Sequence, residues 1–174
     1  LYIFEYLGYV EVLLGFIFFI YQLYLIFKTK VRKQKDIYYK YIVFSIINFI
    51  IALVLVCFYF VLSNDYLLFI SGFIFLLGFL TTIITAHLYK IIPFLVWFYR
   101  FSNLVGKQKV PMLADMVPVK SSDFGFAFYL LGFILSLIAF IFSSDILFKS
   151  AVSFLFVGTS FIVKDVFYII NFKG

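Results

Sequence analysis

Charged residues and cysteines are scarce in this sequence. Only 13% of its 174 residues are Asp, Glu, Lys or Arg, against about 25% in a soluble globular domain. The one cysteine, Cys57, lies in an apolar run, which excludes a disulfide framework and favours a small buried hydrophobe. With 66% hydrophobic residues, a soluble domain and a disordered chain are also excluded. The composition therefore indicates an integral membrane protein.

The motifs of common enzyme classes are also missing. His87 is the one histidine, so a Ser-His-Asp set would depend on that residue alone. The sequence contains no CxxC, no HExxH and no glycine-rich nucleotide fingerprint. Its Gly106–Lys109 segment departs from the phosphate-loop pattern. These absences argue against an enzyme that works on its own.

Five apolar runs are each long enough to cross the hydrocarbon core of a membrane, which takes about 20 helical residues. They predict an all-α polytopic transmembrane bundle that forms a single domain over residues 1–174. The predicted spans are about 6–27, 41–62, 66–89, 124–142 and 146–170. The chain starts in an apolar run without a signal-peptide pattern. We therefore expect a longer parent chain or further subunits, whose helices join these five spans.

Lysine and arginine concentrate in two segments that separate the predicted spans. Eleven of the 14 lie in residues 28–40 and 90–123, which the positive-inside rule places in the cytoplasm. The turns 63–65 and 143–145 lack Lys and Arg and would face outward. The N-terminus is then outside, and Lys173 near the C-terminus is cytoplasmic. Because the basic residues flank apolar runs, we expect a lipid bilayer as partner, in a bacterial inner membrane, and no nucleic acid.

The third predicted span continues into an apolar segment that is too long for one crossing. A straight helix over residues 66–100 would measure about 52 Å, against about 30 Å for the hydrocarbon core. Pro93 is its one proline, and a kink is expected there. We predict an interfacial helix, or a helix end packed on other spans, over residues 91–99. Trp97 suits the headgroup region.

Short polar turns and small residues predict where helices begin and where they pack. Three turns with the pattern Ser-x-Asp precede apolar runs and are expected to cap the following helices: 63–65, 121–123 and 143–145. Small residues spaced four apart, at Gly78 and Thr82 and again at Gly132 and Ser136, predict close approach of neighbouring helices.

Ionisable residues inside membrane spans are rare and often functional. Glu11, in the first span, would bind a proton or cation, or would be a paired or protonated carboxyl near the interface. Lys164 is expected to extend to the interface. Asp165 is expected to meet Lys90 or Tyr89 of the third span, either as a structural ion pair or as part of an ion path.

His87 is a candidate ligand for haem or a metal. One histidine cannot supply the two axial ligands of a membrane cytochrome. At 100° per residue, Gly78, Thr82, Thr85 and Tyr89 share one face of the third span, and His87 points away from it. A structural or interfacial histidine is the alternative.

Part of the sequence resembles the C-terminal part of bacterial polytopic proteins related to subunit I of the haem–copper oxidases. The resemblance covers mainly residues 77–115. Its segments are Gly78-Phe79-Leu80-Thr81, His87-Leu88-Tyr89-Lys90-Ile91-Ile92-Pro93-Phe94-Leu95-Val96-Trp97, Arg100-Phe101-Ser102, Val105-Gly106-Lys107 and Val110-Pro111-Met112-Leu113-Ala114-Asp115. The resemblance implies a longer, redox-associated protein that is not catalytic through this segment alone. Haem would bind with residues upstream of Leu1, and His87 carries over as a ligand.

Three functions remain open from the sequence. The first is the oxidase-like, redox-associated membrane protein. The second is a transporter or channel whose path is lined by Glu11, Asp165 and the threonines Thr81, Thr82 and Thr85. The third is a structural subunit of a membrane complex.

Overall fold

The computed structural model describes residues 2–29 and 36–173, and all its regular elements in these ranges are helices. The helices are α1 (Tyr2–Thr29), α2 (Ile37–Leu62), α3 (Asp65–Leu104), α4 (Val119–Ile141) and α5 (Asp145–Ile170). The chain divides into two units, Leu1–Gln34 with α1 and Lys35–Gly174 with the other four helices. The predicted all-α class is confirmed.

Helices α2 to α5 are each long and apolar enough to cross a membrane. In α1 the apolar stretch is shorter, at Val10–Ile26. The chain is therefore an integral membrane helical protein with four long candidate spans, and the first predicted span, 6–27, stays a prediction. The orientation across the membrane also stays a prediction. Residues 30–35 of the first predicted basic loop lie outside the described residues.

Three of the helices have a side chain that caps their N-terminus. Asp36 accepts a hydrogen bond from the Tyr39 backbone N–H before α2 (3.0 Å), and Asn64 accepts one from Tyr66 before α3 (3.0 Å). The Ser144 side chain likewise accepts from the Leu147 N–H at the start of α5. The capping predicted for turns 63–65 and 143–145 is thus confirmed.

The cap predicted at residues 121–123 is wrong. Helix α4 begins at Val119, directly after Pro118, so these residues lie in its first two turns. The fixed φ of proline suits the start of a helix, and this places the start before the serines.

Helix α3 is a continuous helix of 40 residues, about 60 Å long. It consists of α-helical Asp65–Phe73, π-helical Ile74–Leu80, α-helical Thr81–Phe101 and a 3-10 turn. The helix passes through Pro93 and ends only at Leu104, which confirms a helix end over residues 91–99. The segment between α3 and α4 therefore starts after Leu104 and not at residue 90. Proline removes one backbone donor, which a helix in a membrane protein tolerates when its neighbours support it. Gly106, with φ of 82°, follows the helix end.

The π-helical segment of α3 has carbonyl groups that bond to side chains. Tyr129 Oη, on α4, donates to the Leu77 carbonyl at 2.9 Å, and Thr81 Oγ1 donates to that of Leu76 at 2.8 Å. A π-helical turn shifts the bonding partners of the backbone by one residue. The Leu76 carbonyl also accepts from the Thr81 backbone N–H, and the bond from Tyr129 to the Leu77 carbonyl ties α4 to α3.

Helices α4 and α5 approach each other closely through glycines. A Cβ atom on Gly132 would lie 2.6 Å from the Leu155 backbone nitrogen, and one on Gly158 would lie 2.6 Å from that of Tyr129. Such distances leave no room for a side chain, so the two backbones are in direct contact. The close approach predicted at Gly132 is therefore confirmed, with Ala151 and Leu155 of α5 facing it, and Gly158 makes a second close contact with Gly125 and Tyr129 of α4.

Candidate functional site

Buried polar and small residues line the interface between α2 and α3. On α2 they are Tyr41, Ser45, Asn48 and Ala52, and on α3 they are Ser71, Gly78, Thr82, Thr85 and Tyr89. The face predicted for the third span is thus buried against α2.

Three contacts connect these buried residues of α2 with those of α3. Ser71 Oγ donates to the Ala52 carbonyl at 3.0 Å. A Cβ atom on Gly78 would lie 2.8 Å from the Asn48 side chain. The rings of Tyr41 and Tyr89 stack with centroids 6.0 Å apart.

The hydroxyl groups of this interface bond mainly to their own helices. Thr82 Oγ1 donates to the Gly78 carbonyl, and Thr85 Oγ1 donates to that of Thr81 at 2.8 Å. Ser45 Oγ donates to the Ile42 carbonyl in the same way. Hydroxyls satisfied within one helix allow close packing in an apolar medium. These residues therefore allow α2 and α3 to pack closely. A buried carboxyl group lies at one end of the interface.

Asp165 is the buried carboxyl at that end. It is fully buried on α5 (0% exposed), and its Oδ2 accepts a hydrogen bond from Tyr89 Oη at 2.8 Å. Phe167 and Ile170 follow it with their side chains exposed. Because the outer surface of α5 stays apolar beyond Asp165, the carboxyl lies within the apolar part of the helix.

Two polar atoms at this site are buried without a partner. Over the described ranges, Asp165 Oδ1 and Tyr41 Oη have no hydrogen-bond partner. Tyr41 is also fully buried, and its ring stacks on that of Tyr89, which bonds to Asp165. Buried polar atoms are normally hydrogen-bonded. We call Tyr41, Tyr89 and Asp165 the carboxyl site.

Two lysines precede or follow residues of the carboxyl site in the sequence, but they form ion pairs with other carboxylates. Lys40 and Lys90 each neighbour one of its tyrosines. Lys40 Nζ lies 2.6 Å from Asp123 Oδ1, and Lys90 Nζ lies 3.5 Å from Asp36 Oδ2. The predicted contact of Asp165 with Tyr89 is present, whereas Lys90 pairs with the helix cap instead. Within residues 36–173 as described, Asp165 therefore has no ion pair.

The third lysine of this end, Lys164, is exposed next to Asp165. Its Nζ lies 3.5 Å from Ser121 Oγ and 5.5 Å from the centroid of the Phe161 ring. Adjacent residues on a helix diverge by 100°, so Lys164 points to the surface while Asp165 points inward. This placement agrees with the predicted extension of Lys164 to the interface.

His87 does not belong to the carboxyl site. His87 is exposed, as its predicted direction away from Gly78 requires, and its Nδ1 is 2.7 Å from the Ile83 carbonyl oxygen. The described residues contain no cluster of three His, Cys, Asp or Glu side chains that would hold a metal. They do not fit a haem site either, because the one histidine faces outward with no second ligand beside it. Glu11 is exposed on α1, in the other unit.

The expectation of a buried Cys57 is wrong. Cys57 is exposed on α2. The buried stripe of α2 passes through Asn48 and Ala52. Cys57 comes five residues after Ala52, so it is rotated by about 140° from that stripe and faces outward.

Sequence reasoning did not identify Tyr41. One signal was available: Tyr41, Ser45, Asn48 and Ala52 repeat at helical spacing within an otherwise apolar run. Polar or small residues in that register mark the interior face of a membrane helix.

The chain matches no protein-family model, and neither a curated protein nor a solved structure is detectably similar to it. The resemblance to subunit I of the haem–copper oxidases therefore stays an expectation from the sequence.

Loss of the hydroxyl group should affect the free energy of unfolding differently at the two tyrosines of the carboxyl site. Tyr89→Phe leaves both oxygens of Asp165 without a partner, and we expect it to lower the free energy of unfolding by about 1–3 kcal/mol. Tyr41→Phe removes an unpartnered buried hydroxyl, so the free energy should stay equal or rise. Unfolding by SDS in mixed micelles, followed by circular dichroism, measures both. Equal destabilisation by the two variants would contradict the described bonding.

Proposed function

We propose that this chain is part of a proton-conducting membrane protein in which Asp165 is the proton-binding residue. The observation that carries this proposal is the fully buried carboxyl of Asp165, which has no ion pair and one unpartnered oxygen among the described residues. Ionisable residues buried within membrane helices are rare, and they commonly mark proton relays and ion paths.

The energetics of burial support a group that exchanges a proton. An unpaired carboxylate in a low-dielectric interior costs several kcal/mol, whereas a neutral acid needs only hydrogen-bond partners. A proton on Oδ1 would remove the charge, which the single hydrogen bond from Tyr89 Oη does not neutralise. Tyr89, which already donates to Oδ2, would hold the carboxyl in place in both states.

The ligand set favours a proton over a metal cation. Ca²⁺ takes about 6–8 oxygen ligands, and Mg²⁺ takes an octahedral set. The carboxyl site offers one carboxylate and two phenol oxygens, one of which already bonds to the carboxylate. A proton needs only the one carboxylate oxygen.

The proposed location is the bacterial inner membrane, with residues 90–123 on the cytoplasmic side. The support is the concentration of lysine and arginine in the sequence. In this orientation the carboxyl site is nearer the cytoplasmic surface, and protons would reach it through the end of the bundle that carries Lys40 and Lys90. The redox-associated alternative rests on the resemblance over residues 77–115, in which His87 is the candidate ligand. A reduced-minus-oxidised absorption spectrum of the purified protein tests it.

Proton flux into vesicles tests the proposed function. The purified full chain is reconstituted into liposomes that contain a trapped pH-sensitive dye, and a pH gradient is applied with potassium and valinomycin present to cancel the membrane potential. We expect the internal pH to change faster than in protein-free liposomes. Equal rates, in the presence of correctly folded protein, would contradict transport by this chain and favour a structural role.

A further inference from the structure

A cavity lies at the same end of the bundle, outside the carboxyl site. It occupies about 720 Å³ between the end of α3, the loop that follows it and the residues after α5. Phe101, Lys109, Met112, Asp115 and Lys173 are among the residues that line it. None of these residues belongs to the carboxyl site, so the cavity has its own chemistry.

Hydrogen bonds fix the walls of this cavity. Trp97 Nε1 donates to the Pro111 carbonyl at 2.9 Å, which ties the loop to α3. Arg100 Nη1 donates to the Phe172 carbonyl at 2.7 Å, which ties the end of α3 to the segment after α5. The cavity is therefore bounded by connected elements.

The lining of the cavity carries a positive excess. Lys109 and Lys173 line it, and neither takes part in an ion pair in the portion of the chain that is described. The acidic lining residue, Asp115, accepts a hydrogen bond from the Met112 backbone N–H at 3.0 Å. Its carboxylate thus has a local partner in the loop. Two ammonium groups remain to attract an anion.

We propose that this cavity binds the phosphate headgroup of an anionic phospholipid. Basic pockets beside transmembrane helices bind such headgroups, and here two membrane helices end at the cavity. Exposed apolar side chains continue the surface of the protein around it: Phe98, Val105 and Met112. These side chains would contact acyl chains, which a soluble phosphate lacks. The proposal is independent of proton transport by Asp165.

Lipid titration of charge variants tests the proposal. The full chain in detergent is titrated with dioleoylphosphatidylglycerol, with dioleoylphosphatidylcholine and with inorganic phosphate, and its thermal unfolding midpoint is measured. We expect phosphatidylglycerol alone to raise the midpoint. A double variant, Lys109→Gln with Lys173→Gln, should bind it about 30-fold more weakly, from about 1 kcal/mol per lysine.

Matched variants distinguish the site from general charge effects. Lys149→Gln removes an exposed lysine near the other end of α5 and should respond to phosphatidylglycerol like the wild type. Exchange of Lys109 and Lys173 for arginine should retain the response and shows that the altered loop still folds. An unchanged response in the double glutamine variant would overturn the proposal. An equal response to inorganic phosphate would overturn the assignment to a lipid.

Discussion

Asp165→Asn is expected to abolish proton flux through the reconstituted protein while its helices stay folded. Asparagine has nearly the same shape as aspartate, and its carbonyl oxygen can still accept the hydrogen bond from Tyr89 Oη. The amide cannot take up and release a proton at neutral pH. The variant therefore removes the proposed chemistry and keeps the packing around a fully buried position. The internal pH of dye-loaded proteoliposomes, followed after a pH jump, measures the effect.

The control for this variant is the same substitution at the opposite end of the same helix. Asp145 lies in the first turn of α5 and is exposed. Asp145→Asn should transport protons at the wild-type rate, with a loss of only about 0.3–1 kcal/mol of interaction with the helix N-terminus. Circular dichroism and gel filtration establish that both variants are folded. Wild-type flux in Asp165→Asn would contradict the assigned role of this residue.

Much of the fold follows from elementary features of the sequence. Long apolar runs predict helices because backbone groups in lipid must bond within their own segment. Helical periodicity correctly placed Thr82, Thr85 and Tyr89 on one buried face and His87 opposite to it. The contact of Tyr89 with Asp165 was also anticipated, because both residues lie at the same end of their predicted spans.

The features that could not be predicted depend on contacts between different helices, which the sequence of one helix does not reveal. Periodicity defines which face of α2 is buried but does not identify the residue opposite, so Tyr41 was one of 14 tyrosines without a distinguishing partner. The π-helical segment Ile74–Leu80 accepts a hydrogen bond at Leu77 from Tyr129 of α4, and the sequence of α3 gives no sign of this contact. A kink was expected at Pro93, and the helix continues through it to Leu104. Its end is held by hydrogen bonds with the loop and with the segment after α5.

The second large effect is expected from a substitution at the close contact of α4 and α5. Gly158→Ala would place a Cβ atom 2.6 Å from the Tyr129 backbone nitrogen and 3.0 Å from the Gly125 carbonyl oxygen. Backbone atoms of a packed helix cannot rotate away as a side chain can, so the two helices must separate. We expect the free energy of unfolding to fall by about 1–3 kcal/mol.

A separation at Gly158 would also displace Tyr129, whose hydroxyl bonds to the π-helical segment of α3. The effect should therefore spread from the pair α4–α5 to α3. Gly72→Ala is the matched control, because a Cβ atom there meets nothing within 4 Å. It should leave the stability unchanged or raise it by about 0.5–1 kcal/mol, since alanine favours a helix over glycine. Unfolding by SDS in mixed micelles compares the two variants, and an equal response would show that α4 and α5 do not depend on backbone contact at Gly158.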